Sequence, residues 1–373
     1  MKKLVTFILA LALLVGCAKP ENNVEEGKLN VVTSFFPAYD LVSKVGGDKV
    51  NVTNLTETGD AHTYEPSIKD MEAISKADLL VVNGAGFEPW VENIKANNPD
   101  LKILELSDGI DLIKGDHDHD HDHEVEDDHD HAHEDDHDHA HEDDHDHEVE
   151  DDHNHAHEDE HNHAHEDDHD HAVEDDHDHD HAVEDDHDHD HEHAHSHGEF
   201  DPHTWLSLKN PITMLGNIKD ELVEIDSDNK DVYNTNYEKV KKDFESFSDE
   251  YISKFEKYKG REFIAPHTAF GYLVKELGIE QIGIEGINSV NEPNASRMKE
   301  IVDIMKEHNI KTVFYEYGGS DKVANSIAKE IGGNVKAIST LEVISKENRD
   351  KGDDYLSLMK MNLDNIIDSF EGR

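Results

Sequence analysis

The chain has 373 residues, 34 basic and 89 acidic, with a formal net charge of −55 and one cysteine. A charge of this sign argues against nucleic acid and anionic lipid as partners, and a lone cysteine excludes an intrachain disulfide. The excess is concentrated in one tract, 115–199, which holds 29 of the 33 histidines, 40 of the acidic residues and no Lys or Arg. Its removal leaves 49 acidic against 34 basic residues, the −15 of an ordinary acidic globular protein large enough for two domains.

The N-terminus, MKKLVTFILALALLVGC, places two lysines before an apolar run from Leu4 to Val15. The run is too short to span a bilayer comfortably and reads as the core of a signal peptide, residues 1–16. Leu14-Val15-Gly16-Cys17 resembles a bacterial lipobox, which makes Cys17 the acylated residue and 17–28, polar with Pro and Gly, a flexible tether. The protein is therefore expected outside the cytoplasm, anchored to the membrane by lipid on Cys17.

From Leu29 short β-prone runs alternate with helical ones: LNVVTSF, PAYDLVSKVGG, VNVTNLT, SIKDMEAISKAD, LLVVNG, FEPWVENIKANN and LKILELS. Such alternation predicts an α/β lobe with a parallel sheet covered on both faces, built from 29–114 and 200–227. The tract interrupts it. Its octapeptide VEDDHDHA at 125–132 recurs with small changes, followed by ten-residue units. With only Ala or Val as apolar members per repeat, it cannot offset the entropy of folding, and disorder is expected over 115–199.

A long helical region follows. Val232, Tyr233, Tyr237, Val240, Phe244, Phe247, Tyr251, Ile252 and Phe255 fall at spacings of three and four, predicting one helix over 228–260. The alternation then restarts, predicting a second α/β lobe over 261–373. Two Rossmann-like lobes joined by one long helix would enclose a cleft at the carboxyl ends of their strands.

Four histidines lie outside the tract. His62 in GDAHTYEPS and His267 in APHTAFGY stand between a predicted strand and a helix. His203 in DPHTW stands where the chain re-enters the first lobe. These three could converge on the cleft, with Asp60 able to orient an imidazole. His308, at a helix end in KEHN, reads as a dipole partner or a solvated group.

The phrases GDAHTYEPSIKDMEAISKADLLVVNG, DPHTWLS, APHTAFGYLVKELGI, NEPNASRMKEIVDIMKEHNIKTVFYE and ISTLEVIS together resemble the cluster A-I solute-binding lipoproteins of bacterial ABC metal importers, from Leu29 to nearly the end of the chain. The resemblance implies a rigid linking helix and one metal ion between the lobes. Its ligands would be His62, His203, His267 and a carboxylate near the C-terminus. That carboxylate matches Glu342 in ISTLE, with Glu316 in FYEYGG as the alternative, a structural carboxylate at a strand end. Ala61 stands where the family usually has Pro, which bears on loop stiffness and not on the ligand.

Three imidazoles and one carboxylate suit tetrahedral Zn2+; manganese sites in this family tend toward two His and two carboxylates. The expected function is capture of Zn2+ for an ABC permease and its ATPase subunits by a monomer that binds no nucleic acid, while the tract gathers further metal. The alternatives are a manganese-type binding protein, a metal buffer acting through the tract alone, and a zinc hydrolase. An enzyme would need an open coordination position that Glu342 closes, and no G-x-S-x-G motif is present.

Overall fold

The computed structural model describes residues 27–115, 199–285, 293–344 and 346–372. The leader, Cys17 and the tract between Gly115 and Glu199 lie outside the described residues.

The first sheet consists of β1 (Leu29–Thr33), β2 (Val50–Asn54), β3 (Leu79–Val82) and β4 (Ile103–Glu105), in the order β2-β1-β3-β4 with every pair parallel. The second consists of β5 (Glu262–His267), β6 (Glu280–Glu285), β7 (Thr312–Glu316) and β8 (Asn334–Ile338), in the order β6-β5-β7-β8, again all parallel. The two sheets share one winding. In each the strand order reverses beside the first strand, at β1/β3 and at β5/β7, the position where open α/β sheets form a crevice.

Local chemistry fixes the connecting helices. In α1 (Phe36–Gly46) a proline occupies the first turn, and Gly47 ends the helix at φ 57°. In α2 (Ile68–Ser75) a capping box pairs Ser67 with Asp70. A short α3 (Val91–Asn97) completes the helices before the insertion. After it α4 (Asn210–Ile225) leads into α5 (Lys230–Phe255), the linking helix of 26 residues, about 39 Å at 1.5 Å per residue. Short 3-10 turns, Ser227–Asn229 and Glu256–Tyr258, continue it at both ends, so the helical path covers most of the stretch marked out by the apolar stripe. The second lobe adds α6 (Gly271–Leu277), α7 (Ala295–Glu307), α8 (Lys322–Ile331), a short α9 (Lys346–Asp350) and α10 (Tyr355–Glu371), whose start is a second capping box, Asp354 with Ser357.

Strand residues alternate between two apolar environments, as the period of two requires. Val31, Leu79 and Val81 face inward, as do Phe263, Ala265 and Phe314. All belong to one continuous core that also takes in Phe35, Trp205, Phe244, Phe270 and Leu363. Val32, Leu80 and Val82 face a smaller outer cluster on the first sheet, and Ile264 and Val313 one on the second. The inner core therefore runs through both lobes and the linking helix without a break. Tyr233, Val240, Phe244, Tyr251 and Phe255 supply the buried stripe of that helix.

Candidate metal centre

His62 lies in the loop between β2 and α2. The turn that presents it is closed by Asp60, whose Oδ1 accepts the His62 backbone N–H at 2.8 Å. Asp60 therefore shapes the backbone, where an imidazole partner was expected. The ring packs against Phe87, edge to face, with centroids 5.0 Å apart.

His203 is held by the same device carried further. Asp201 Oδ1 accepts both the His203 backbone N–H at 2.9 Å and the ring Nδ1–H at 2.8 Å. A carboxylate on Nδ1 places the proton there and leaves the Nε2 lone pair free for a cation. His203 is fully buried, and Asp201 is 4% exposed. The sequence reading passed over Asp201, although its D-x-H spacing repeats that of Asp60 and His62.

His267 is the last residue of β5. Its carbonyl accepts from Gln281 Nε2 at 2.6 Å and from the Ala269 N–H at 3.0 Å, and Gln281 Oε1 accepts from the Phe270 N–H at 3.0 Å. The neighbouring strand β6 thus pins the turn that aims this ring.

Glu342 stands in the loop after β8, which both lobes grip. Asn362 pairs twice with Ser339, at 2.7 Å each way. Glu316 Oε1 accepts from the Thr340 N–H at 2.9 Å and from its hydroxyl at 3.2 Å. From the first lobe, Trp205 Nε1 donates to the Thr340 carbonyl at 2.7 Å and the Phe36 N–H to the Glu342 carbonyl at 3.2 Å. Leu341 sits at φ 63°, a left-handed conformation that costs a non-glycine residue about 1–2 kcal/mol and persists only where the surroundings over-determine it. Glu316, with these two bonds to Thr340, is a buried strand-end carboxylate that supports the loop; burial pushes its carboxyl up to about 8.

The structure brings His62, His203, His267 and Glu342 together: one ligand atom from each lies within 4.8 Å of all the others. His62 Nε2 is 3.2 Å from His203 Nε2 and 3.4 Å from Glu342 Oε1, and His203 Nε2 is 3.7 Å from Glu342 Oε1. Ligands at ~2.0–2.1 Å from a tetrahedral ion lie about 3.3 Å from one another, so these three edges match such a shell. Among the described residues four buried side-chain atoms have no hydrogen-bond partner, and two of them, His267 Nε2 and Glu342 Oε1, are in this cluster. Buried polar atoms are costly to leave unpaired, and a cation would satisfy both.

The electrostatics fit the same shell. Burial pulls the His267 ring down to about 4, which keeps it neutral near pH 7. Burial opposes the charged form of His62 as well, but the Glu342 carboxylate against it wins and raises its pKa. Burial would raise Glu342, yet His62 and the other two rings pull it down to about 2, so it stays anionic. His308 is remote from this cluster; it ends α7 and its Nδ1 meets Glu262 at 2.5 Å.

A family model described as zinc-uptake complex component A, periplasmic, matches residues 31–369. The high-affinity zinc uptake system protein ZnuA of Bacillus subtilis is 31% identical over 366 residues, covering 97% of this chain and 94% of that one. The zinc-binding lipoprotein AdcA of Streptococcus pneumoniae is 27% identical over 364 residues, 97% of this chain but 60% of its own length. The crystal structure of the metal-dependent lipoprotein YcdH from Bacillus subtilis superposes with a TM-score of 0.64 at 29% identity, covering 92% of this chain and 99% of that one.

Proposed function

The chain belongs to the zinc-uptake complex component A family, and from that membership we propose that His62, His203, His267 and Glu342 hold one Zn2+ as cargo. The protein is the extracytoplasmic zinc-binding component of an ABC importer, and it passes the ion to the membrane permease that its ATPase subunits drive. The observation that carries the reading is the pair of unpartnered buried atoms, His267 Nε2 and Glu342 Oε1, facing into a set of four ligands.

Three neutral imidazoles and one carboxylate, without a thiolate, suit Zn2+ better than Mn2+, which prefers more oxygen donors. Four protein ligands close the shell and leave no position for an activated water, so the site stores and releases an ion and does no hydrolysis. Lipid on Cys17 would hold the protein at the membrane surface, and AdcA is itself described as a lipoprotein.

The test is zinc titration against a competing chelator, on the wild type and on His267→Ala. The expected result is one tight ion in the wild type and a loss of at least about 100-fold in its affinity in the variant, beyond the range for an outer-shell partner. An unchanged tight site in His267→Ala would overturn the assignment.

A further inference from the structure

The insertion leaves and re-enters the first lobe through a short clamp. Asp201 N–H donates to the Ile113 carbonyl at 2.8 Å, Gly115 N–H donates to the Glu199 carbonyl at 3.0 Å, and Lys114 and Phe200 form an antiparallel bridge. The clamp carries Asp201 and so lies two residues from His203. A side chain of the other lobe ties it shut. The Tyr272 hydroxyl, on α6, accepts from the Ile113 N–H at 3.1 Å and donates to the Asp201 carbonyl at 2.8 Å. It thus binds the outgoing and returning strands at once. Tyr272 is 5% exposed, and burial pushes its hydroxyl up to about 12, so it keeps the proton it donates.

The preceding residue makes the fit closer. A Cβ on Gly271 would stand 2.6 Å from Asp201 Oδ2, inside any real contact. The carboxylate that orients His203 through Oδ1 therefore has its other oxygen set against the bare Cα of the second lobe. Backbone and side chain of Asp201 both take their position from Gly271-Tyr272.

We propose that Tyr272 is a positioning residue through which the second lobe sets the orientation of His203, a ligand of the first, and closes the base of the insertion. The inference rests on the reading of the four-residue cluster as the zinc site. Its physical content is that the Nδ1–H···Oδ1 geometry of His203 depends on lobe-to-lobe contact at a place that does not touch the ion. Loosening of that contact frees the ring to rotate and weakens the ion's hold. The chain ends that frame the insertion loosen at the same moment.

The experiment uses the full-length, zinc-loaded chain mixed with an excess of a chromophoric chelator, where the tight ion is the slow phase. Tyr272→Phe keeps the ring and removes the hydroxyl. The expected result is release about tenfold faster, the low end of what outer-shell partners contribute, with the metal-free protein still folding cooperatively and its melting temperature lowered only by the loss of the two Tyr272 hydrogen bonds. Long-range 1H–15N spectra of the metal-free protein add a signature that a merely structural role would not move: the His203 resonance, assigned by its loss in His203→Ala, changes from a single Nδ1–H tautomer to a mixture. Gly271→Ala, which displaces Asp201 from the other side, should accelerate release as well. Wild-type release and tautomer in Tyr272→Phe would overturn the coupling while the site stands. A tight site that survives His203→Ala would overturn the site itself, and the coupling with it.

Discussion

His62, His267 and Glu342 each carry a different relation to protons, and this sets how the protein should answer to pH. His62 has its pKa raised by Glu342, His267 is held near 4 by burial, and Glu342 near 2 by the rings around it. A cation must displace any proton on a ligand, so affinity rises with pH up to the highest ligand pKa and then levels. His62 is protonated below its raised value, above the ordinary 6.5, so zinc affinity should fall from there downward, with a slope that approaches about tenfold per pH unit for this one proton. His267 adds no competing proton until about pH 4. Competition titrations between pH 5 and 8.5 check this; a flat affinity over that range would contradict it. Three of the four residues were legible in the sequence because each histidine stood alone, outside the tract, at the edge of a predicted element. Glu342 was reachable only through the family resemblance, since one glutamate among 89 acidic residues has no local mark. Asp201 was missed although it lies two residues from His203. A carboxylate at that spacing is equally a turn-former, and Asp60 is one.

At the level of elements, the alternation of short strands and helices was readable because parallel strands covered on both faces give continuous apolar runs, and LLVV in β3 is buried at every position. The ends were less readable. The linking helix yields to 3-10 turns on both sides, a change in hydrogen bonding that an apolar stripe does not register. The short helix Lys346–Asp350 was not foreseen, for KENRD has no apolar face to announce it. The linking helix earns its buried stripe by joining the two lobes: Phe244 meets Tyr355, the first residue of α10, with ring centroids 5.2 Å apart. Phe244, only 2% exposed, should cost about 3–5 kcal/mol of stability when changed to Ala. Because it touches no ligand, the variant that remains folded should still bind one tight zinc. Chemical denaturation with zinc titration on the same sample checks both parts.

For the whole molecule, the proposed four-residue site and the acidic, histidine-rich stretch 115–199 carry separate expectations for metal. The expectation from the sequence of 115–199 is that its many imidazoles and carboxylates, each ion ordering backbone at about 1–2 kcal/mol per residue, take up many ions weakly. The clustered site has its candidate side chains already held by Asp201, Gln281, Glu316 and Trp205. Deletion of 115–199 should therefore lower the number of zinc ions bound at saturation and leave one tight ion, as read by metal analysis before and after dialysis against chelator. Loss of the tight ion on deletion would assign the work to the insertion instead. The apolar core that passes unbroken from one sheet to the other has a consequence for leakage. Swinging the halves apart would wet that core, and about 400 Å² of exposed apolar surface would already cost roughly 10 kcal/mol at about 25 cal/mol per Å². A gaping that exposed that much would be about ten-million-fold rarer than the closed form. A cargo ion in transit would thus be kept from stray chelators chiefly by oil, with the charge pairs Lys44–Asp354 and Arg349–Glu57 added across the halves, and its exit left to small local yielding under an external push.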